Sequence, residues 1–231
     1  LFTARGNIST LSPSSGVGGT RVLIRGENLL SGGHRITSVS LSGVDAEVVQ
    51  YNETLLEVVA RRGDAGTGDV IITTNTGSVT VLDNSWTYLP EGELHAVVPA
   101  QGQAHALVTL TGLGLLSGAS SVSQVLLAGV PALRIVSATS TELVVVAAGV
   151  PASVSGNVVI EASTGARVVR TDGFTYVDPA NVTHVSSAFG QLGTRVVLQG
   201  SSLLVGATGL QNVKVGGVPV EILRSSDAEI Q

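Results

Sequence analysis

Three asparagines stand two residues ahead of a hydroxyl side chain, in Asn7-Ile-Ser9, Asn52-Glu-Thr54 and Asn181-Val-Thr183. Asn-x-Ser/Thr is the acceptor sequence for N-linked glycan transfer in the secretory route. Asn7, Asn52 and Asn181 are therefore candidate N-glycosylation sites, each expected in an exposed turn where a glycan costs the fold little. Chance matches are common in a chain rich in Ser and Thr. Asn7 and Asn181, however, both stand one residue before the first strand of a repeated unit, and equivalent placement at two joints favours use of the motif.

Other reactive residue types do not converge. His34, His95, His105 and His184 fall at unmatched positions with no His-x-His or His-Glu-x-x-His spacing, and surface or turn histidines are expected. No Gly-x-Ser-x-Gly marks a serine nucleophile. Gly16-Val-Gly-Gly-Thr20 is glycine-rich, but it lacks the lysine of a phosphate loop and opens no helix, so its glycines read as structural. Asp64-Ala-Gly-Thr-Gly-Asp69 offers two carboxylates to a calcium ion that wants about six to eight oxygens. The corresponding stretch Ser153 to Asn157 has no acid, so a plain hairpin loop is the preferred reading there, with calcium as the alternative. No catalytic residue, metal site or cofactor is expected, and the chain reads as non-enzymatic.

Composition narrows the partners. Lys and Arg number 12 against 17 Asp and Glu, with a net charge of −5, so the positive field that neutralises phosphates is missing and no nucleic-acid partner is expected. Cysteine is absent, which rules out disulfides and thiolate metal sites without deciding the compartment. Although 43% of residues are hydrophobic, Thr, Ser and Gly break every apolar run short of a membrane span, and the segment is expected to be soluble.

What must position these residues is a unit copied in tandem. Gly16 to Leu29 recurs as Gly102 to Leu115 and as Gly190 to Leu203, with 86 residues between Gly26 and Gly112 and 88 between Gly112 and Gly200. The same offsets carry Gly43-Val-Asp-Ala onto Gly129-Val-Pro-Ala and Gly217-Val-Pro-Val, and Trp86-Thr-Tyr88 onto Phe174-Thr-Tyr176. The divisions expected are 1–7 as the tail of a preceding repeat or a linker, 8–93 as repeat 1, 94–181 as repeat 2 and 182–231 as an incomplete repeat 3. With no Met and no charged-then-apolar leader, the chain reads as an excerpt of a longer array. Arrays of small domains serve reach, display or adhesion more often than a single catalytic pocket.

Within a unit the apolar pattern has period two, as in Val22/Ile24, Val39/Leu41, Val70/Ile72 and Val79/Val81, each run bounded by turn residues. Repeat 2 gives Val108/Leu110, Val125/Leu127 and Val158/Ile160, and repeat 3 gives Val196/Leu198 and Val213/Val215. These positions keep their volume between copies while Arg25, Thr111 and Gln199 vary, which separates an inward from an outward face. The pattern predicts an all-β chain of tandem antiparallel sandwiches with little or no helix. Gly26, Gly112 and Gly200 are expected at a bulge or a positive dihedral before a leucine that tucks inward. Asn28, matched by Gly114, fits the left-handed region, Thr76-Gly77 and Thr164-Gly165 fit hairpin tips, and Trp86 and Phe174 are the expected core anchors.

Ile8-Ser-Thr-Leu-Ser-Pro13-Ser-Ser-Gly16, Gly19-Thr20-Arg-Val22, Gly26-Glu-Asn28-Leu29, Val39-Ser-Leu41-Ser-Gly43-Val and Trp86-Thr-Tyr88 together resemble the IPT/TIG domain, an immunoglobulin-like fold shared by plexins and transcription factors. The resemblance runs through nearly the whole chain. It departs at Gln103-Ala-His-Ala106, where Gly-Gly-Thr is lost, and at Ser187, which replaces Pro. It implies a sandwich of about seven strands and carries no catalytic residues. It also implies three settings: tandem copies in receptors and large surface glycoproteins, single modules for dimerisation or DNA contact in transcription factors, and single modules inside starch-active bacterial enzymes. Tandem copies joined by a few residues favour the first.

The leading expectation is thus an extracellular or cell-surface array that acts through protein–protein contacts with other copies or subunits, in structure, adhesion or assembly. Repeat 2 is unusually apolar outside its core, at Leu113, Leu116, Val130, Val144 and Val146, a candidate interaction surface. The alternative is a glycan-binding module or an intracellular dimerisation or DNA-associated one; few aromatics are present for glycans and only one adjacent basic pair, Arg61-Arg62, for DNA. Heavy use of Ala, Gly, Val and Arg with a single lysine, Lys214, hints at a GC-rich genome; in a flagellated alga, a ciliary surface fibre would follow.

Overall fold

A computed structural model of the chain describes residues 4–204, 209–210 and 212–231, and among these it contains strands and turns and no helix. Leu1-Phe2-Thr3, expected as the tail of a preceding repeat, lie outside the described residues. Repeat 1 comprises β1 (Asn7–Ser12), β2 (Ser15–Gly16), β3 (Arg21–Glu27), β4 (Ile36–Leu41), β5 (Val44–Asp45), β6 (Glu47–Tyr51), β7 (Leu55–Val59), β8 (Gly66–Thr74) and β9 (Val79–Tyr88). Repeat 2 comprises β10 (Glu93–Val98), β11 (Gln101–Gly102), β12 (Leu107–Leu113), β13 (Val122–Leu127), β14 (Val130–Pro131), β15 (Arg134–Ala138), β16 (Glu142–Val146), β17 (Val154–Ala162) and β18 (Arg167–Tyr176). Repeat 3 contributes β19 (Asn181–Val185), β20 (Leu198–Ser201), β21 (Val213–Val215), β22 (Val218–Val220) and β23 (Glu229–Ile230).

Each of the first two repeats is a sandwich with the same strand order. One sheet runs β1-β3-β7-β6 in repeat 1 and β10-β12-β16-β15 in repeat 2. The facing sheet runs β2-β9-β8-β4-β5 and β11-β18-β17-β13-β14, with β2 and β11 joining it in parallel. The inward residues of both sheets fill one core per repeat: Val22, Ile24, Leu29, Val39, Leu41, Leu56, Val58, Val70, Ile72 and Trp86 in the first, and their counterparts around Phe174 in the second. The aromatic pair at the end of the last strand stands edge to face in both, with centroids 5.6 Å apart for Trp86–Tyr88 and 5.1 Å for Phe174–Tyr176. In repeat 3 the described strands form sheets of three (β19-β20-β23) and two (β21-β22), and Leu203 and Ile230 are buried.

The repeated glycines work by close approach. A Cβ on Gly26, Gly112 or Gly200 would lie 2.0 Å from the carbonyl oxygen of Asn7, Glu93 or Asn181 respectively, where the first strand bulges against the second. The bulge expectation holds. The positive dihedral falls two residues later, on Asn28 (φ 49), Gly114 (φ 58) and Ser202 (φ 53), and the next residue, Leu29, Leu115 or Leu203, turns inward. The hairpin tips are as expected, with Gly77 at φ 80 and Gly165 at φ 89.

Two expectations of inward residues fail: Val215 in β21 is 39% exposed, and in β9 the phase is reversed. Val79 and Val81, expected inward, are 47% and 40% exposed, while Thr80 between them is buried against Ser31. Thr80 sits opposite Ile72 in the ladder, so the valines on either side must face out. The strand regains the phase of Trp86 through extra residues around Asn84 (φ 46), whose N–H donates to the Asp69 carboxylate at 2.8 Å.

Candidate functional site

Asp69, offered above to calcium, thus accepts from the Asn84 backbone N–H, and its counterpart Asn157 accepts from Asp172 N–H in the same way. The pair explains both the acid and its replacement by an amide: either oxygen caps the bulge. Among the described residues no group of three or more His, Asp or Glu side chains gathers to hold a metal ion. The four histidines are all exposed, His105 in a turn with φ 68. No helix of the described residues is long and apolar enough to cross a membrane.

The three sequon asparagines are exposed. Asn7 and Asn181, expected in turns one residue before a strand, are instead the first paired residues of β1 and β19, and Glu93 takes the same place in β10. Asn52 lies in the β6–β7 turn, where its Oδ1 accepts from Thr54 N–H at 2.8 Å, Leu55 N–H at 2.9 Å and the Thr54 hydroxyl at 3.1 Å. Thr139 and Ser226 cap the corresponding turns of repeats 2 and 3 through their hydroxyls. A short oxygen-bearing side chain is what this turn needs, and asparagine meets the need with Oδ1 while its Nδ2 is not required.

The five residues taken as an interaction surface separate. Leu113 is 58% exposed and Val144 half-buried, both on the outward face of the β10-β12-β16-β15 sheet. Leu116 is half-buried in the loop after β12, and Val130 packs against the repeat 2 core. Val146 is only 6% exposed, flanked in the ladder by Leu107 and Arg134. Val146 therefore offers no free surface, because neighbours on adjacent strands cover it, and Val130, half-buried, turns towards the core of its own repeat instead of joining the outward face.

What the structure assembles instead is a continuous sheet face that sequence reasoning saw only in part. In register across it lie Val98, Thr109 and Val144 in one row and Ala96, Thr111 and Glu142 in the next, with Leu107 beside Val146 at one end. Val98 and Leu107 are 61% and 59% exposed. The same face of repeat 1 carries Ser12, Leu23 and Glu57, then Thr10, Arg25 and Leu55, with Arg21 beside Val59. There Arg21 pairs with Glu57 at 3.1 Å, and Gln50 Nε2 donates to Glu57. Repeat 2 thus replaces an ion-paired surface by Leu107 and Val144 at the same two ladder positions. The signal was in the sequence as the Arg21/Leu107 difference between copies, but reading it required knowing that Leu107 and Val144 stand on neighbouring strands.

The aromatic pairs at the ends of β9 and β18 are spent inside, whereas Phe189 is 88% exposed. Trp86, Tyr88, Phe174 and Tyr176 are all at most 2% exposed. Burial pushes the Tyr88 and Tyr176 hydroxyls above the ordinary tyrosine range. The Trp86 side chain offsets part of that rise for Tyr88, and the Ala148 backbone for Tyr176, although neither hydroxyl completes a hydrogen bond of normal geometry.

The family model described as "IPT/TIG domain" matches residues 7–88 and 93–176. Among solved structures, the plexin A4 extracellular region (domains 1 to 10) superposes with a TM-score of 0.54 at 19% identity, covering 98% of this chain and 20% of that one. A surface glycan-binding protein from Prevotella bryantii matches at 14% identity over 86% of this chain and 53% of its own, with a TM-score of 0.32, at which likeness of shape carries no functional argument. The chain spans about a fifth of the plexin ectodomain it matches. No curated protein matches it.

Proposed function

Because this chain belongs to the IPT/TIG domain family, which it matches twice in tandem over residues 7–88 and 93–176, we propose that it is a non-enzymatic stretch of an extracellular or cell-surface array working by protein–protein contact. The contact surface is the outward β10-β12-β16-β15 face of repeat 2, around Ala96, Val98, Leu107, Leu113 and Val144. The observation that carries this reading is the exchange of the Arg21–Glu57 pair for Leu107 and Val144 on an otherwise repeated scaffold. A patch of exposed apolar side chains on a sheet, bordered here by Glu93, Arg134 and Glu142, is a liability on a lone domain and an asset against a partner. The plexin ectodomain is a relative in fold with extracellular domains of this kind, and the exposed sequons fit the same compartment. A specifically ciliary placement draws no support from fold or relatives.

Val98→Lys with Leu107→Lys is expected to abolish self-association or partner capture by the secreted chain while repeat 2 keeps its thermal transition, because both side chains are already more than half exposed. Light scattering reads the outcome; unchanged assembly would remove this face from consideration. Mass spectrometry of the chain secreted from a eukaryotic host is expected to find glycan at Asn52 and at one or both of Asn7 and Asn181. Complete absence of modification would reopen an intracellular setting. The glycan-binding alternative has little to work with: among the described aromatics only Tyr51, at 38%, and Phe189, at 88%, exceed a third exposure, and they belong to different repeats, whereas stacking on sugars needs a platform of several.

A further inference from the structure

Repeats 1 and 2 are docked as well as linked. The tip of the β17–β18 hairpin of repeat 2 seats in the Gly16–Thr20 loop of repeat 1. Val17 is 1% exposed yet belongs to neither sandwich core; it packs with Ala162 and Ala166 of the hairpin, Leu89 of the linker and Ala119. Beside it, Arg21 N–H donates to the Thr164 carbonyl at 2.8 Å, a backbone bond across the joint. Glycines bring the two loops to van der Waals distance. A Cβ on Gly19 would lie 3.5 Å from Ala166 Cα, one on Gly165 3.4 Å from the Gly19 carbonyl, and one on Gly118 2.5 Å from Leu89 Cδ1. The linker is seated too: a Cβ on Gly92 would stand 2.5 Å from the Gly114 carbonyl.

The matching loop of repeat 2, Gly102–Ala106, keeps the backbone and changes the side chains. Gly19 and His105 share a positive φ, 89 and 68, and each donates its N–H to the strand-end alanine, Ala60 or Ala147. Thr20 and Ala106 each close the same turn onto Val17 and Gln103. Gln103 therefore stands for Val17, Ala104 for Gly18 and His105 for Gly19. An imidazole at His105 must occupy the space that, at the first joint, leaves room for little more than a Cβ before the next repeat begins. Gln103 puts an amide where Val17 is apolar, and its Oε1 is taken by Ala180 N–H of the following linker at 3.1 Å. Ala180 itself carries the Cβ that Gly92, its counterpart, has no room for.

We propose that the Gly16–Thr20 loop is a docking socket for an alanine-flanked hairpin tip, which makes repeats 1 and 2 a stiff pair, and that the side chains standing in the matching Gly102–Ala106 loop are ones that would break such a socket. The apolar contact is small, and domains meeting over so little surface move freely when nothing else holds them. Here Leu89–Gly92 is the whole connection between β9 and β10; so short a tether keeps socket and tip at an effective concentration on the order of millimolar, enough to keep a weak contact formed.

The absence of native cysteine lets Ser38→Cys in repeat 1 and Ser140→Cys in repeat 2, both exposed, carry a spin-label pair without background. Pulsed paramagnetic resonance is expected to give a narrow distance distribution in the 231-residue chain. Val17→Gln with Gly19→His, which installs the repeat 2 side chains at a backbone His105 already tolerates, is expected to broaden it about twofold or more, the freedom ordinary to loosely joined domains. Ala166→Gln, made on the tip side, is expected to do the same while Trp86 fluorescence and both thermal transitions persist. A broad distribution in the parent overturns the stiff pair. An unchanged narrow one in both variants overturns the socket.

Discussion

Trp86→Ala is expected to unfold repeat 1 or leave it barely folded, while repeat 2 keeps its own transition. Trp86 has 0% exposure, lies edge to face on Tyr88, and is the largest side chain in its core. Truncation removes its transfer free energy and leaves a cavity between two sheets that cannot close without breaking ladder bonds, a cost of about 3–5 kcal/mol. Against a domain stability of about 5–15 kcal/mol, and at about 4–8 °C of melting temperature per kcal/mol for a domain this size, the repeat 1 transition falls by more than 10 °C, roughly. Calorimetry of the whole chain should show one transition moved and the other nearly in place, apart from what the joint transmits. Two transitions moving equally would mean that the repeats form a single cooperative unit, against their separate cores.

Gly26→Ala is the second large effect, and it separates close approach from glycine content as such. Its new Cβ would stand 2.0 Å from the Asn7 carbonyl oxygen and 2.7 Å from Leu29 Cδ2, so β1 must lift from β3 or Leu29 must leave the core. Overpacking of this kind costs about 3 kcal/mol, or more where the obstacle is backbone. Gly66→Ala, in β8 of the same repeat, meets nothing within 4 Å and has no positive φ. It is expected to raise stability by about 0.4–1 kcal/mol through the unfolded chain. Denaturant titrations followed by Trp86 fluorescence read both in the same repeat. Equal effects of the two substitutions would show that the bulge does not depend on Gly26.

The two experiments bear on what could be read beforehand. Val22/Ile24 and Val39/Leu41 announce inward faces because alternation is local, and a second copy with the same spacing confirms each one. Val79/Val81 misled for the opposite reason: the phase of β9 is set by its pairing with β8 and by the extra residues around Asn84, and alternation alone does not know where a ladder slips. Sequons are local in the same way, which is why Asn7, Asn52 and Asn181 were legible as exposed positions, while the capping duty of Asn52 emerged only once Thr139 and Ser226 were seen in the same turn. Leu113 and Val144 were found by hydrophobicity, but so was Val146, which is covered. Exposure belongs to a neighbourhood of strands, and Val98 and Leu107 join the face through ladder pairs that no run of consecutive residues contains.

By itself, the sequence determined that the chain is a tandem of all-β units, where each unit turns, most of the aliphatic and aromatic residues that fill it and which asparagines lie outside. Those properties follow from period, volume and turn chemistry, all of which act over a few residues and are tested by repetition within the chain. Tertiary structure alone decided that Leu107 and Val144 make one surface, that Asp69 is spent on Asn84, and that Val17 belongs to a joint with Ala162 and Ala166. These depend on residues far apart in the chain meeting at van der Waals distance, and the free energy that brings them together comes from cores and ladders to which they do not themselves belong.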